Sequence, residues 1–185
     1  MITATPRPAP PQYELSAPLR HELPEGMPTV RAAREEDAAA LVALSRPFVR
    51  SGALRERPPS LYAAHAADFL VMDVPGSPLE GCVGLRVHPA EPAEGREEGR
   101  GAAGVLYNFC VAGHRQGRGV GAGLLRAVLA VAHAKSLTAL FTATTGGGDL
   151  FLRYGFAPAD ARLAPPSWTR SLDPRRNARI LARHL

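Results

Sequence analysis

Gln116-Gly117-Arg118-Gly119-Val120-Gly121 lies between two segments of different periodicity. Upstream, Gly104-Val105-Leu106-Tyr107-Asn108-Phe109-Cys110-Val111 is apolar at nearly every position, the pattern of a central strand covered on both faces. Downstream, Leu124, Leu125, Val128 and Val131 recur at helical spacing within Val120 to Ala134. The six residues therefore mark a turn from strand to helix. Leu137 to Thr144 reads as the next strand, which completes a βαβ unit with an expected right-handed crossover. Glycine in such a turn permits positive φ and lets a ligand approach main-chain N–H groups with no Cβ in the way. The first helical turn adds unpaired N–H donors and the positive end of the helix dipole, so a pyrophosphate is its natural guest.

Two familiar phosphate loops do not fit. A dinucleotide-binding fingerprint would open a βαβ repeat and be followed by an acidic residue at the end of the next strand, where this chain has Thr144-Thr145. A Walker-type loop needs Lys-Ser/Thr after its glycines, and none follows here.

Working outward, Thr29-Val30-Arg31-Ala32-Ala33 alternates like a short strand, and Glu35 and Glu36 suit the electropositive first turn of a helix with Leu41, Leu44 and Phe48 as its apolar stripe. A weaker helix follows Pro58-Pro59, and Phe69-Leu70-Val71-Met72 reads as a strand. The turn cluster Asp73 to Pro78 joins it to Gly81 to His88 as a hairpin. Residues 89–103, composed only of Glu, Arg, Gly, Pro and Ala, are expected to form a mobile surface loop, and the proline-rich residues 1–26 a flexible arm. These boundaries leave one domain over residues 27–185, a size that accommodates one hydrophobic core.

The glycine stretch, with the strand Phe109-Cys110-Val111 before it and Leu124-Leu125 after it, resembles the Q/R-x-x-G-x-G/A signature of the GNAT acyltransferase superfamily. Downstream, Phe151-Leu152-Arg153-Tyr154-Gly155-Phe156 is similar to that family's second hallmark, an aromatic residue on a short helix closing in Gly-Phe. The resemblance runs from about Pro28 to the C-terminus. It implies an α/β (α+β) domain, a mixed sheet of six to seven strands flanked by about four helices, with a splayed strand pair that binds coenzyme A. Carried over by residue, it sets the pantetheine of acetyl-CoA or another acyl-CoA against Phe109, Cys110 and Val111. The pyrophosphate falls on the turn Gln116, Gly117, Arg118, Gly119, Val120 and Gly121, with Phe151 lining the channel. No metal is implied.

The family transfers the acyl group directly to an amine, with a main-chain N–H near Cys110 or Val111 as oxyanion donor. Many members use a tyrosine acid where this chain has Phe151, which has no proton to give. Tyr154, nearly one helical turn on, is the candidate substitute; Tyr107 and Asn108 stand on the strand where an acidic base is often found, and His114 is a candidate base. Within the superfamily the chain resembles short stand-alone N-acetylglutamate synthases, which also carry phenylalanine at the acid position. That likeness makes Arg57, Arg176 and Arg179 the carboxylate-binding candidates, because a guanidinium donates two parallel hydrogen bonds to a carboxylate. Tyr107 replaces an arginine common in that subgroup, so the acceptor pocket is expected to differ.

The net charge of +5 over 185 residues is almost wholly arginine, Lys135 being the only lysine. Without a nucleic-acid motif or interleaved aromatics, it does not indicate nucleic acid. No apolar run reaches the length of a signal core or a membrane span, and Cys82 and Cys110 lie within apolar segments rather than at paired loop positions. A soluble cytoplasmic monomer or homodimer acting on a small-molecule amine is expected. Two rivals remain open: the same fold taking its acyl group from an acidic carrier protein's phosphopantetheine arm, received by the arginine-rich C-terminal region, and a non-catalytic CoA-binding regulatory module. Transfer to a protein amine would require an open peptide groove.

Overall fold

The helix that follows the glycine turn, α3 (Val120–Ala134), buries Leu124, Leu125 and Val128 against a seven-stranded sheet in a computed structural model describing residues 28–90, 101–146 and 148–185. The remaining elements are β1 (Thr29–Ala32), α1 (Ala38–Arg50), α2 (Pro59–Ala64), β2 (Phe69–Asp73), β3 (Gly81–His88), β4 (Ala103–Val111), β5 (Ala139–Thr144), α4 (Asp149–Arg153), β6 (Ala157–Pro158), α5 (Pro166–Thr169) and β7 (Arg179–His184). Strand order is β1-β2-β3-β4-β5-β7-β6, antiparallel except for the parallel pair β4/β5 created by the α3 crossover. The expected arm of residues 1–26 lies outside the described residues, as does the 91–100 portion of the expected 89–103 loop; β4 already begins at Ala103.

Strand alternation divides the core between the two faces of the sheet. On one face Val83, Leu85, Leu106, Leu140 and Leu181 pack with α3; on the other Phe69, Val71, Cys82 and Cys110 pack with Leu41 and Leu44 of α1 and Tyr62 of α2. Both cysteines are buried free thiols. Cys82 is raised well above the ordinary thiol range, first by its hydrogen bond with Cys110 and then by burial, so it stays protonated and unreactive.

Local details differ from the sequence expectation for physical reasons. Glu35 and Glu36 belong to a 3₁₀ turn whose last residue, Asp37, accepts the Arg34 amide at 2.7 Å, so α1 itself begins at Ala38. The strand after α3 begins at Ala139 rather than Leu137, because Ser136 adopts a left-handed φ of 52° and the Leu137 amide returns to the Ala132 carbonyl at 3.0 Å, closing the helix C-terminus. Elements as short as β6 and α5 leave no periodicity to detect.

Arg31 on β1 ties the sheet edge together: its guanidinium donates to Asp73 of β2 at 2.6 Å and to both oxygens of Asp37 at 2.6 and 3.0 Å. These bonds hold the Asp37 carboxyl below the usual carboxylate range. Because the folded value is depressed, the stabilisation is complete above the unfolded value and disappears as pH falls through the folded one. Arg31→Ala is therefore expected to cost about 1 kcal/mol in urea unfolding at neutral pH, and its deficit should narrow as pH drops below about 4.

Candidate active site

The parallel pairing of β4 with β5 stops halfway. Partners run only from Ala103↔Ala139 to Leu106↔Thr142, where the Thr142 hydroxyl donates to the Leu106 carbonyl at 3.3 Å. Past that point Tyr107, Cys110 and Val111 remain paired with β3 on one side, and none of Tyr107 to Val111 has a β5 partner on the other. The wedge originates in Asn108, which has φ +50° and disturbs the β3/β4 register between Cys82 and Gly84: two steps on β3 face three on β4. This extra residue is a β-bulge, which bends a strand and increases its twist. Its site on the sheet leaves a main-chain edge able to accept another extended chain.

At the mouth of this fork lies the glycine turn. Gln116 Nε2 donates to the Val111 carbonyl at 3.1 Å, and Arg115 pairs with Glu80 at 2.8 Å beneath the turn. Gly117 and Gly119 adopt φ of +73° and +85° with no heavy atom within 4 Å of where a Cβ would stand. Gly119 is the N-cap of α3 and carries no capping side chain; the first bond of the helix is Gly123 N to Gly119 O at 2.9 Å. The donors presented outward thus begin at Gly119, whereas the Arg118 amide, expected to join them, is already given to the Arg115 carbonyl at 3.2 Å. The Arg118 side chain is exposed; that of Arg115 is committed to Glu80.

The apolar wall of the fork is an aromatic row. Phe151 of α4 is buried, with its ring 5.4 Å from Phe109 of β4 and 5.4 Å from Phe156. Gly121 brings the first turn of α3 against Leu150, Val111 and Phe109. Phe109 and Val111 therefore share the α3 face, while the Cys110 thiol turns to the α1 face. The hydroxyl of Tyr154 is held by Arg126 of α3 at 3.0 Å, and its carbonyl accepts from Arg183 at 2.5 Å.

On the α1 face a cavity of about 610 Å³ adjoins the bulge, lined among others by Arg57, Arg86, Tyr107, Asn108, Trp168 and Arg176. Tyr107 does not direct its hydroxyl into the fork. Its ring lies across β3, so that a Cβ on Gly84 would come within 2.5 Å of it, and its hydroxyl donates to Asp68 at 3.1 Å. Burial, and then the Asp68 charge, push the phenol above its ordinary value, so it stays protonated. Two guanidiniums stack on this ring, Arg57 at 5.2 Å and Arg86 at 5.3 Å from its centre.

Asn108, expected as a catalytic residue, has its carboxamide engaged internally. Its Nδ2 donates to Ser45 Oγ at 2.9 Å and its Oδ1 accepts from Tyr62 at 3.3 Å, in a buried network linking β4 to α1 and α2. Asn108→Ala is expected to cost about 2–4 kcal/mol in urea or thermal unfolding, since it strands Ser45 and Tyr62 and places an alanine at positive φ.

Of the other expected site residues, His114 is exposed in a 3₁₀ turn after β4 and lines a separate apolar groove with Leu44 and Phe48, away from the residues of the large cavity. Arg176 lines the cavity, yet its guanidinium binds the Gly52 and Ala53 carbonyls at 2.8 and 2.6 Å. Arg179 is exposed at the start of β7, outside the cavity lining. Arg57 is the one carboxylate candidate that lines the cavity with neither an acid nor a carbonyl as partner among the described residues. Sequence reading missed Arg86, Asp68 and Trp168. Arg86 pointed outward on a strand otherwise read as core, and its meaning depends on Tyr107, 21 positions later in the chain.

A mixed sheet with one parallel pair forked by a bulge, and a glycine turn at the fork, is the GNAT acetyltransferase fold. An acetyltransferase of the GNAT family from Staphylococcus aureus Mu50 shares it over its whole length, with a TM-score of 0.65, 12% identity, and coverage of 86% of this chain and 99% of that one. In sequence the chain is similar to the amino-acid acetyltransferase of Ralstonia nicotianae, 31% identical over 156 residues that make up 84% of this chain and 32% of the relative. It is also similar to N-acetylglutamate synthase from Neisseria gonorrhoeae, whose structure is complexed with coenzyme A and N-acetyl-glutamate: TM-score 0.73, 26% identity, 87% of this chain and 36% of that one. The chain spans about a third of the length of the curated relatives it matches. No family model matches it.

Proposed function

We propose that this chain transfers an acetyl group from acetyl-CoA, or a related acyl group, to the amine of a small amino acid or kindred metabolite by direct attack. The observation that carries the reading is the fork: an unpaired β4 edge from Tyr107 to Val111 ending at outward amides from Gly119 onward. An extended pantetheine pairs with the edge as an added strand, and its diphosphate meets the helix N-terminus. Phe109 and Phe151 then flank the thioester arm. Similarity to amino-acid acetyltransferases supports an amino-acid acceptor, and Arg57 is the group that receives its carboxylate.

In this mechanism the neutral amine attacks the thioester carbon, a main-chain N–H near Cys110 or Val111 stabilises the oxyanion, the C–S bond breaks as the intermediate collapses, and the proton shed by the attacking nitrogen reaches the departing thiolate, relayed by water. In the aromatic wall Phe151 has no proton to give, while the Tyr154 hydroxyl accepts from Arg126 and keeps its own proton, as the candidate substitute acid. The phenylalanine at the acid position favours a second reading, a CoA-binding module without turnover. Calorimetry with CoA and a thiol-release assay with acetyl-CoA and an amino-acid panel decide between them. Binding with turnover supports the first reading, binding without turnover the second, and absence of binding removes both. Including an acyl-carrier donor tests the carrier-dependent variant.

A further inference from the structure

The large cavity contains four arginines, and their partners differ. Arg55 donates to the Ser171 carbonyl at 2.8 Å, and Arg176 to the carbonyls of Gly52 and Ala53. Both pin the segment between α1 and α2 to the C-terminal segment after α5. Arg86 faces Asp68 at 3.5 Å, so its charge is already balanced by a carboxylate that also accepts the Tyr107 hydroxyl. Arg57 alone has neither an acid nor a carbonyl among the described residues, only the face of Tyr107.

We propose, resting on the amino-acid reading above, that the acceptor carries a single carboxylate, clamped by Arg57, and an uncharged side chain. A guanidinium with its fork unspent is the strong receptor for a carboxylate. A second carboxylate in this cavity would find Arg86 already facing Asp68, and Arg55 and Arg176 each fixed in place by carbonyls through one nitrogen, and it would also meet Glu56 and Asp173, which line the same space. Like charges near one another without compensation oppose binding. The rest of the lining, including Leu54, Leu61, Val105, Trp168 and Leu172, suits an uncharged group. Asp68 is thus a specificity residue acting through Arg86: it cancels the cation that a dicarboxylic acceptor would need. This departs from the Neisseria gonorrhoeae relative, whose structure is complexed with the dicarboxylic N-acetyl-glutamate.

The test is a competition series at one pH, measuring kcat/KM of the full chain for glutamate, aspartate, glutamine, leucine and phenylalanine with acetyl-CoA. Uncharged side chains are expected to exceed the dicarboxylic ones by about tenfold or more, the worth of one charge-assisted hydrogen bond. Asp68→Asn is expected to release Arg86 and raise the glutamate-to-glutamine ratio about tenfold, with CoA affinity by calorimetry unchanged as proof of folding. Should that variant fail to fold, Arg86→Gln replaces it, and is expected to leave the preference for uncharged acceptors standing. Preference for glutamate or aspartate in the parent overturns the proposal while sparing the amino-acid reading, and so does a ratio that Asp68→Asn leaves unmoved. Turnover of no amino acid by CoA-competent protein overturns both.

Discussion

Replacing Gly119 by valine is expected to weaken CoA binding by about 100-fold while the protein remains folded. Two effects separate cleanly at this position. The first is conformational: a β-branched residue at φ +85° carries strain of about 1–2 kcal/mol, which a urea midpoint will show as a modest loss of stability. The second concerns the ligand alone. A Cβ at Gly119 meets no atom of the chain within 4 Å, so the valine occupies the space in front of the first-turn amides rather than displacing the protein. Loss of one or two charge-assisted bonds to a diphosphate at about 1.5–3 kcal/mol each gives the 100-fold figure. Calorimetry against CoA and against dephospho-pantetheine reads the difference: the loss should be large for the first and small for the second, which has no diphosphate. An unchanged CoA affinity would mean that the phosphate lies elsewhere.

The part of this architecture that local patterning controls was legible from residues alone. The run from Gly104 to Val111, the glycine turn and the spacing of Leu124, Leu125 and Val128 each report one element, and neighbouring elements fix a βαβ unit almost by necessity. The fork was expected only through the family resemblance, because its cause is a single asparagine at positive φ, and Asn108 inside an apolar strand looks like any polar insertion. The bulge also changes which residues share a face, setting Tyr107 and Asn108 both toward α1 and α2, a result that strict alternation forbids. Side-chain roles were less legible still. Arg176 and Arg57 are alike in sequence, and only the carbonyls of Gly52 and Ala53, more than 120 positions away, show that the first ties two distant segments together. Asp68 precedes a strand, where an acidic residue is commonplace, and acquires meaning from Tyr107 and Arg86 on two other strands.

Arg57→Ala is expected to raise the KM for the amino-acid acceptor by about 30- to 100-fold, with CoA affinity unchanged and the fold intact. The guanidinium makes no hydrogen bond or ion pair to the rest of the protein among the described residues, so its removal costs the fold little beyond its stacking on Tyr107, about 0.5–1 kcal/mol. Under the proposed assignment its value lies in the acceptor carboxylate, and a bidentate charge-assisted pair in a partly enclosed cavity is worth about 2–3 kcal/mol. Arg57→Lys keeps the charge but loses the planar fork and the stacking, so it should recover only part of the affinity, with KM intermediate between parent and alanine variants. Steady-state kinetics with acceptor varied at saturating acetyl-CoA distinguish this from a structural defect, which would lower kcat and CoA affinity together. Arg176→Ala provides the opposite signature: it removes the bonds to Gly52 and Ala53, loosens the segment that carries Arg57, and should lower thermal stability along with acceptor binding. If Arg57→Ala leaves acceptor KM unaltered while Arg176→Ala raises it without a stability change, the carboxylate sits on Arg176 and the assignment of the two arginines is reversed.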